Sequence, residues 1–216
     1  MNIKVLLVDD HAVVRAGFKL LLAAVPSMEV VAEADRGEQA IQLYQKLQPD
    51  IVVMDLSMPG IGGLEAIRRI RQRDETANIL VFSVHNEQVY VRRALNAGAK
   101  GYITKNSAAE ILAEAIEVIH QGQQYIEQGL LKEGMDFSAE HDYQKIIENF
   151  SVREFDIFRL LAKGLTAHKI ADELCLGYKT VANYVTQIKK KLQVSSIAEL
   201  AHVAIVLGLS TWEQRL

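Results

Sequence analysis

Cysteine and long apolar runs are the scarcest features of this sequence of 216 residues. The single cysteine, Cys175, cannot form a disulfide within the chain, which is typical of a protein in a reducing compartment. Each apolar run is far shorter than the roughly 20 residues that a membrane-spanning helix needs. The run at the N-terminus ends at two aspartates and is too short for a secretory signal. We therefore expect a cytoplasmic protein with no membrane span.

A large excess of charge of one sign is also absent, because the formal net charge is −3 at pH 7. Residues 148–216 carry nine Lys and Arg against seven Asp and Glu, whereas residues 122–147 carry two against five. Ordinary solvated surfaces have a surplus of this size as often as nucleic-acid sites do, so charge alone does not identify a partner. A chain of this length favours two domains.

Short apolar strands alternate with amphipathic helices in the first half of the chain. Helical spacing is seen, for example, at Gly17, Leu20, Leu21 and Ala24. Because each crossover between strands is long enough for a helix, the strands are expected to be parallel, with both faces of the sheet covered. These features predict a flavodoxin-like, doubly wound, five-stranded α/β domain over residues 1–121, whose last helix begins at a capping box, Ser107 to Glu110. The predicted strands are residues 3–8, 30–32, 51–54, 79–82 and 101–103.

The four apolar residues that begin at Ile51 predict a buried strand that ends at Asp55, and a short polar turn closed by Pro59 follows it. Asp9 and Asp10 follow the first strand in the same way. Ligands bind outside the carboxyl ends of parallel strands, so the fold is expected to gather these three carboxylates in one crevice. Like charges at about 4 Å repel by roughly 4 kcal/mol, so the cluster needs a cation. Ligands that are all oxygen favour Mg²⁺.

Two further polar residues end strands at the same edge, Ser83 and Lys105. A lysine is a point charge for a phosphoryl oxygen, and a hydroxyl can follow an oxygen that moves. Together with the acids they predict a carboxylate nucleophile for phosphoryl transfer. Taken singly, Ser83 is also explained as a hydroxyl at the end of a strand, and Lys105 as a solvated surface lysine. His11, beside the two acids, is either a metal ligand or base, or simply the start of the first helix.

The pattern changes after residue 121. Residues 122–147 lack a sustained strand period and are interpreted as a linker, with one helical turn near residues 127–132; a continuation of the first domain is the alternative. Residues 148–216 are predicted to be all helical. Helix starts are indicated by Ser151 with Glu154, by Thr166 and by Ser196 with Glu199. Two short helices around Gly177 predict a helix-turn-helix within a four-helix domain.

The motifs VDDH, MDLSMPG, the strand-four Ser83 and GYITK resemble the receiver domain of two-component response regulators over residues 1–121. The resemblance implies that Asp55 accepts a phosphoryl group from a sensor histidine kinase. It also implies that Asp10 directly, with Asp9, Asp55 and the backbone carbonyl of Ser57, holds Mg²⁺. Ser83 and Lys105 would then contact the phosphoryl group, and Tyr102 would occupy the position of the switch aromatic.

The segment SVREFDIFRLLAKGLTAHKIADELCLGYKTVANYVTQIKKKLQVSS resembles the LuxR-type DNA-binding domain. Together the two resemblances identify a NarL/FixJ-type response regulator, and Tyr184 and Ser196 are similar to the GacA/UvrY branch of that family. The implied function is phosphorylation-controlled, sequence-specific binding to double-stranded DNA and regulation of transcription.

In a helix-turn-helix the second helix is the recognition helix, here the one that follows Gly177, and spacing along it separates two kinds of DNA contact. Lys179 and Thr180 open the helix, where N–H groups and the helix dipole favour a phosphate. Lys190, near the other end, is expected to contact a phosphate as well, although the run of three lysines there also suits the helix dipole. The side chains that face the groove one turn apart are predicted to read bases; they are Ala182, Asn183, Thr186 and Gln187.

Phosphorylation is expected to alter the receiver surface near Tyr102. That change either forms a homodimer, releases the DNA-binding domain, or does both. The last helix, with Ala201, Ala204 and Ile205 on one side, is either a second dimer surface or a cover for the small core. We do not expect the protein to be an enzyme. A phosphatase with an aspartyl-phosphate intermediate commonly has a second Asp two residues after the nucleophile, but the residue two positions after Asp55 is Ser57. An adaptor with a degenerate receiver would lack an acid or the lysine, and all are present.

Overall fold

The computed structural model describes residues 2–131 and 138–209. The chain forms two compact units, Met1–Lys132 and Glu133–Leu216. The first alternates strands with helices and the second is helical, as the sequence predicts. No helix in the described ranges has both the length and the apolar character needed to cross a membrane.

The first unit is a parallel sheet with helices between its strands. The strand order is β2-β1-β3-β4-β5-β6, and every strand pair is parallel. The first five strands have the doubly wound order of flavodoxin-like folds. The elements are β1 (Ile3–Val8), α1 (Ala12–Ala23), β2 (Met28–Ala34), α2 (Gly37–Leu47), β3 (Ile51–Met54), α3 (Gly62–Arg73), β4 (Ile79–Ser83), α4 (Gln88–Ala97), β5 (Gly101–Thr104), α5 (Ala108–His120) and β6 (Tyr125–Ile126).

The sixth strand corrects the prediction of a five-stranded sheet, and it lies in the segment interpreted as a linker. Tyr125 and Ile126 pair with Gly101 and Tyr102 of β5, and Glu127 accepts hydrogen bonds from the backbone and hydroxyl of Thr104. Residues 128–131 form a turn and bends rather than the predicted helical turn, whose last residue, Lys132, lies outside the described residues. The boundaries at residues 121 and 147 remain predictions.

Helix α1 packs on the sheet through a face other than the one indicated by the sequence. Gly17, Leu20, Leu21 and Ala24 are all exposed, Leu20 by 74%. The side chains that face the core instead are Val14, Phe18, Leu22 and Val25. Phe18 meets Phe82 of β4 edge-to-face, with ring centroids 4.6 Å apart. The apolar run fits two helix faces, and the contact with the sheet selects one of them.

The second unit consists of five helices in the described residues: α6 (Ser138–Glu148), α7 (Val152–Ala162), α8 (Ala167–Glu173), α9 (Tyr178–Leu192) and α10 (Ile197–Val206). Helix α6 was not predicted, and it lies mostly within the predicted linker. The capping box of Ser151 and Glu154 is present, and Thr166 and Ser196 cap α8 and α10. Ser107 precedes α5 but makes no capping bond, because its backbone is helical and its hydroxyl bonds to Thr104 instead.

Candidate functional site

The carboxyl ends of β1, β3 and β5 bring two acids and a lysine together. Asp9 and Asp55 directly follow β1 and β3, and both are almost completely buried. The backbone N–H of Asp55 donates to the Val8 carbonyl (2.8 Å), so a hydrogen bond to β1 fixes the backbone of Asp55. On the other side, the N–H of Lys105 donates to the Ser83 carbonyl (2.7 Å). The predicted meeting of strand ends is therefore present.

Lys105 bridges the two acids. Its Nζ lies 2.5 Å from Asp9 Oδ2 and 2.9 Å from Asp55 Oδ2, and it also lies over the Phe82 ring. Burial raises the pKa of Asp55, and this effect outweighs the opposing hydrogen bond from Lys105. Burial opposes the charge on Lys105, but the hydrogen bonds that its ammonium donates to Asp9 and Asp55 leave its pKa raised. The lysine thus compensates much of the charge in this crevice.

The crevice fits an oxygen-ligated divalent cation. One ligand atom from each of Asp9, Asp10, His11 and Asp55 lies within 4.8 Å of all the others. Asp10 Oδ1 is buried and has no hydrogen-bond partner among the described residues, although His11 Nδ1 lies 2.8 Å away. A cation among these atoms would offset the repulsion between the three carboxylates. The three carboxylates are hard ligands that suit Mg²⁺.

The predicted switch residues are linked through a residue that sequence reasoning missed. Ser83 and Tyr102 are completely buried. The backbone N–H of His85 donates to Ser83 Oγ (3.3 Å), and the Tyr102 hydroxyl donates to the His85 carbonyl (2.8 Å). Burial raises the pKa of Tyr102. The Tyr102 side chain therefore points inward and is held by the loop that follows β4.

The His85 side chain spans two loops at the edge of the crevice. Its Nε2 lies 3.0 Å from Ser57 Oγ, and its ring stacks on Tyr90 with 3.9 Å between ring centroids. The N–H of Ser57 also donates to Asp55 Oδ1 (3.3 Å). Motif analysis could not find His85, because only the folded loops bring it to the site.

The second unit presents a helix-turn-helix formed by α8 and α9. Val181, Ile188 and Leu192 form the buried side of α9. The residues predicted to contact DNA lie away from that side: Ala182 is half-buried, and Lys179, Thr180, Asn183, Thr186, Gln187 and Lys190 are exposed. The Thr186 hydroxyl donates to the Ala182 carbonyl (3.0 Å), which leaves its methyl group as the more available contact for a base. The arrangement fits a helix placed in a major groove.

The three lysines at the end of α9 have different surroundings. Lys191 Nζ lies 2.7 Å from the buried carboxylate of Glu154, and Lys189 Nζ donates to the Ser195 carbonyl (3.1 Å). Lys190 is exposed, and within the described part of the chain its ammonium group makes no hydrogen bond or ion pair. Two of the lysines are thus engaged within the unit, and Lys190 is available for a phosphate.

Comparison with known proteins identifies both units. Residues 5–117 match the response regulator receiver domain, and residues 148–204 match the bacterial regulatory proteins of the luxR family. The chain is 42% identical over 207 residues to the transcriptional activator protein ExaE of Pseudomonas putida, covering 95% of this chain and 97% of that protein. It is 37% identical over 208 residues to the response regulator GacA of Pseudomonas aeruginosa, covering 96% and 97%.

A solved structure shares the architecture of both units. RcsB from Salmonella enterica serovar Typhimurium, bound to promoter rprA in the presence of the phosphomimetic BeF₃⁻, has a TM-score of 0.64 and 26% identity, covering 94% of this chain and 98% of that one. The chain belongs to the two-component response regulators that join a receiver domain to a LuxR-type DNA-binding domain. It is a regulator of transcription, as the family resemblance in its sequence implied.

Proposed function

We propose that a sensor histidine kinase phosphorylates Asp55 and that this modification controls sequence-specific DNA binding. The observation that carries the proposal is the buried cluster in which Lys105 contacts both Asp9 and Asp55, beside the Asp10 carboxylate. Such a cluster combines a nucleophile with the positive charge that phosphoryl transfer requires. We place the receiver at residues 1–121, the linker at 122–147 and the DNA-binding domain at 148–216, in a cytoplasmic protein.

The chemistry assigned to Asp55 is nucleophilic attack. An ionised Asp55 oxygen attacks the phosphorus of a phosphohistidine; an O–P bond forms as the N–P bond breaks, and its electron pair stays on the imidazole. Asp9, Asp10, Asp55 and the Ser57 carbonyl would hold Mg²⁺, which supplies charge neutralisation for the phosphoryl oxygens when it is bound. Lys105 contributes a second positive charge and would turn from the carboxylates to a phosphoryl oxygen. The chain thus acts as phosphoryl acceptor rather than as enzyme.

Transmission to the surface would begin at Ser83. A phosphoryl group adds a charge of about −2 beside Asp55 and draws the Ser83 hydroxyl towards it. Because Ser83 and Tyr102 share His85 as a hydrogen-bond partner, movement of Ser83 would shift the loop between β4 and α4 together with Tyr102. The surface formed by β4, α4 and β5 would change and promote a homodimer.

The phosphorylated homodimer would bind two symmetric half-sites in double-stranded DNA. The exposed face of α9 supports this role, with Lys179, Thr180 and Lys190 on phosphates and Asn183 and Gln187 towards bases. The solved complex of RcsB with a promoter in the presence of a phosphomimetic shows that a protein of this architecture binds DNA in that state.

Sedimentation velocity with and without beryllofluoride and Mg²⁺ tests the proposal on the wild type and on Asp55→Asn. We expect a shift from monomer to dimer in the wild type alone, because the amide cannot bind beryllofluoride as the carboxylate does. A shift in both proteins would contradict the role of Asp55. If neither shifts although beryllofluoride is bound, release of the DNA-binding domain becomes the better mechanism.

The division of labour on α9 gives a second prediction. Lys179→Ala should weaken all DNA sequences alike and reduce the slope of log affinity against log salt by about 1. Asn183→Ala should instead cost about 1–3 kcal/mol at the adenine that it contacts and relax the preference for that base. Fluorescence anisotropy at several salt concentrations, with the selected site and with single-base variants, measures both effects. A uniform loss from both substitutions would refute the division.

A further inference from the structure

The loop between β3 and α3, residues 55–61, carries the Ser57 carbonyl proposed as a metal ligand. Its first part is held by the Ser57 contacts with Asp55 and His85. Its far part turns at Gly60, and α3 begins at Gly62; both have positive φ (83° and 73°), a conformation that glycine adopts without strain. The N–H of Gly63 then donates to the Leu56 carbonyl (3.2 Å) and closes the loop.

Glu38, in the first turn of α2, supports the far part of this loop. Glu38 Oε1 accepts a hydrogen bond from the N–H of Ile61 (3.1 Å). A Cβ atom at Gly60 would lie 2.6 Å from Glu38 Oε1 and 2.7 Å from Glu38 Oε2, so the loop backbone packs closely against the Glu38 carboxylate. One residue earlier, a Cβ at Gly37 would lie 2.9 Å from the Gly62 carbonyl oxygen. The start of α2 and the loop are therefore in close contact.

The second carboxylate oxygen of Glu38 is not exposed to solvent as the oxygens of an ordinary surface glutamate are. Glu38 Oε2 is buried and has no hydrogen-bond partner in the described part of the chain. A buried acceptor without a donor opposes folding, so the residue is not explained by stability alone. Glu38 Oε1 instead accepts from a backbone N–H of the loop that carries the proposed ligand.

We infer that Glu38 is a positioning residue for the metal site: it fixes the loop that presents Ser57 and thereby sets the affinity for Mg²⁺. The inference rests on the proposed function, because the Mg²⁺ site belongs to it. Groups that orient metal ligands from outside the ligand shell commonly change metal affinity when they are replaced. Glu38 acts on the metal site through the backbone of the loop, by way of the hydrogen bond from Ile61. Its role therefore requires a side chain of this length that ends in an acceptor oxygen.

Three variants separate these requirements. Glu38→Ala removes the acceptor, and Glu38→Asp keeps the charge but shortens the reach to Ile61; both should weaken Mg²⁺ binding about tenfold. Glu38→Gln keeps an acceptor oxygen of the same length and should stay within about twofold of the wild type. Glu65→Ala is the matched control, because Glu65 also lies in the first turn of a helix but forms surface ion pairs with Arg68 and Arg69.

The experiment is titration of the full chain with Mg²⁺ alone, followed by amide chemical shifts, together with hydrogen exchange at Ile61. Faster exchange at Ile61 and weaker binding in the Ala and Asp variants, with Glu65→Ala unchanged, support the inference. If the wild type binds Mg²⁺ and the Ala and Asp variants bind it equally well, the positioning role is wrong and the proposed function stands. If the wild type does not bind Mg²⁺, both are wrong. Should Glu38→Ala not fold, the comparison of Asp with Gln decides in the same way.

Discussion

Replacing Lys105 with methionine should lower the free energy of unfolding of the first unit by about 3 kcal/mol at neutral pH without divalent cations. The substitution keeps most of the apolar stem but leaves Asp9 and Asp55, whose side chains are 3% and 1% exposed, without their shared positive partner. Mg²⁺ should restore part of the loss, because a cation bound by the same carboxylates offsets their repulsion. Hydrogen exchange of the buried β1 and β3 amides measures this stability separately from that of the helical unit.

Lys100→Met is the matched control for this prediction. Lys100 Nζ donates to Asn78 Oδ1 (2.7 Å) and to the Thr76 carbonyl, which are both neutral acceptors. Its loss should cost only about 1 kcal/mol and should not respond to Mg²⁺. The double variant Lys105→Met with Asp55→Asn should recover part of the deficit, because one of the two unpaired charges is then gone. Equal losses in the two lysine variants would contradict the role assigned to Lys105.

The pH dependence of the Lys105→Met deficit has a definite sign. Burial raises the pKa of Asp55 in the folded state above its usual 3.8. Between pH 3.8 and the folded-state pKa, the folded state therefore binds more protons than the unfolded state. Stability from this group therefore increases as the pH falls through that range. Without Lys105 the pKa of Asp55 rises further, so the deficit should be largest at neutral pH and shrink on acidification. Asp55→Asn should remove the part of this pH dependence that comes from Asp55.

The strand ends could be predicted from sequence because a buried parallel strand has a simple signature. The prediction of β1 and β3 has the observed bounds, and Asp55 and Lys105 follow from where the strands end. Helix α1 shows the limit of the same reasoning. Its apolar residues fit two faces, and the packing of Phe18 against Phe82, which the local sequence does not contain, decides between them.

The parts of the site that the sequence did not reveal lie on loops and helix starts. His85 reaches Ser57, 28 positions away in the chain, and Glu38 reaches Ile61, 23 positions away. Neither residue belongs to a strand end, and neither has a spacing that predicts its partner. Strand β6 was missed for a different reason, since two residues are too few to show the alternation of a strand.

The adjacent residues Lys190 and Lys191 should give opposite results when each is replaced by alanine. Lys191→Ala should lower the stability of the helical unit by about 2 kcal/mol, because it leaves the carboxylate of Glu154, which is 6% exposed, without its cation. The Lys191 side chain is 45% exposed, so water can replace part of the interaction and the loss stays below that of a fully buried pair. Lys190→Ala should change stability by less than about 0.5 kcal/mol and instead weaken DNA binding, with a salt slope reduced by about 1.

Acid titration distinguishes the two lysines independently of DNA. Burial opposes the charge on Glu154, but the hydrogen bonds from Lys191 and from the N–H and hydroxyl of Ser151 outweigh it and lower the pKa of this carboxyl below 4.5. Its stabilising contribution is therefore present above the unfolded pKa and is lost as the pH falls through the folded one. The deficit of Lys191→Ala, measured by urea unfolding, should disappear over that range, and Lys190→Ala should follow the wild type throughout. If Lys191→Ala lost DNA affinity at unchanged stability, Lys191 would be a phosphate contact. It would then not be the ion-pair partner that links the end of α9 to Glu154 in the capping box of α7.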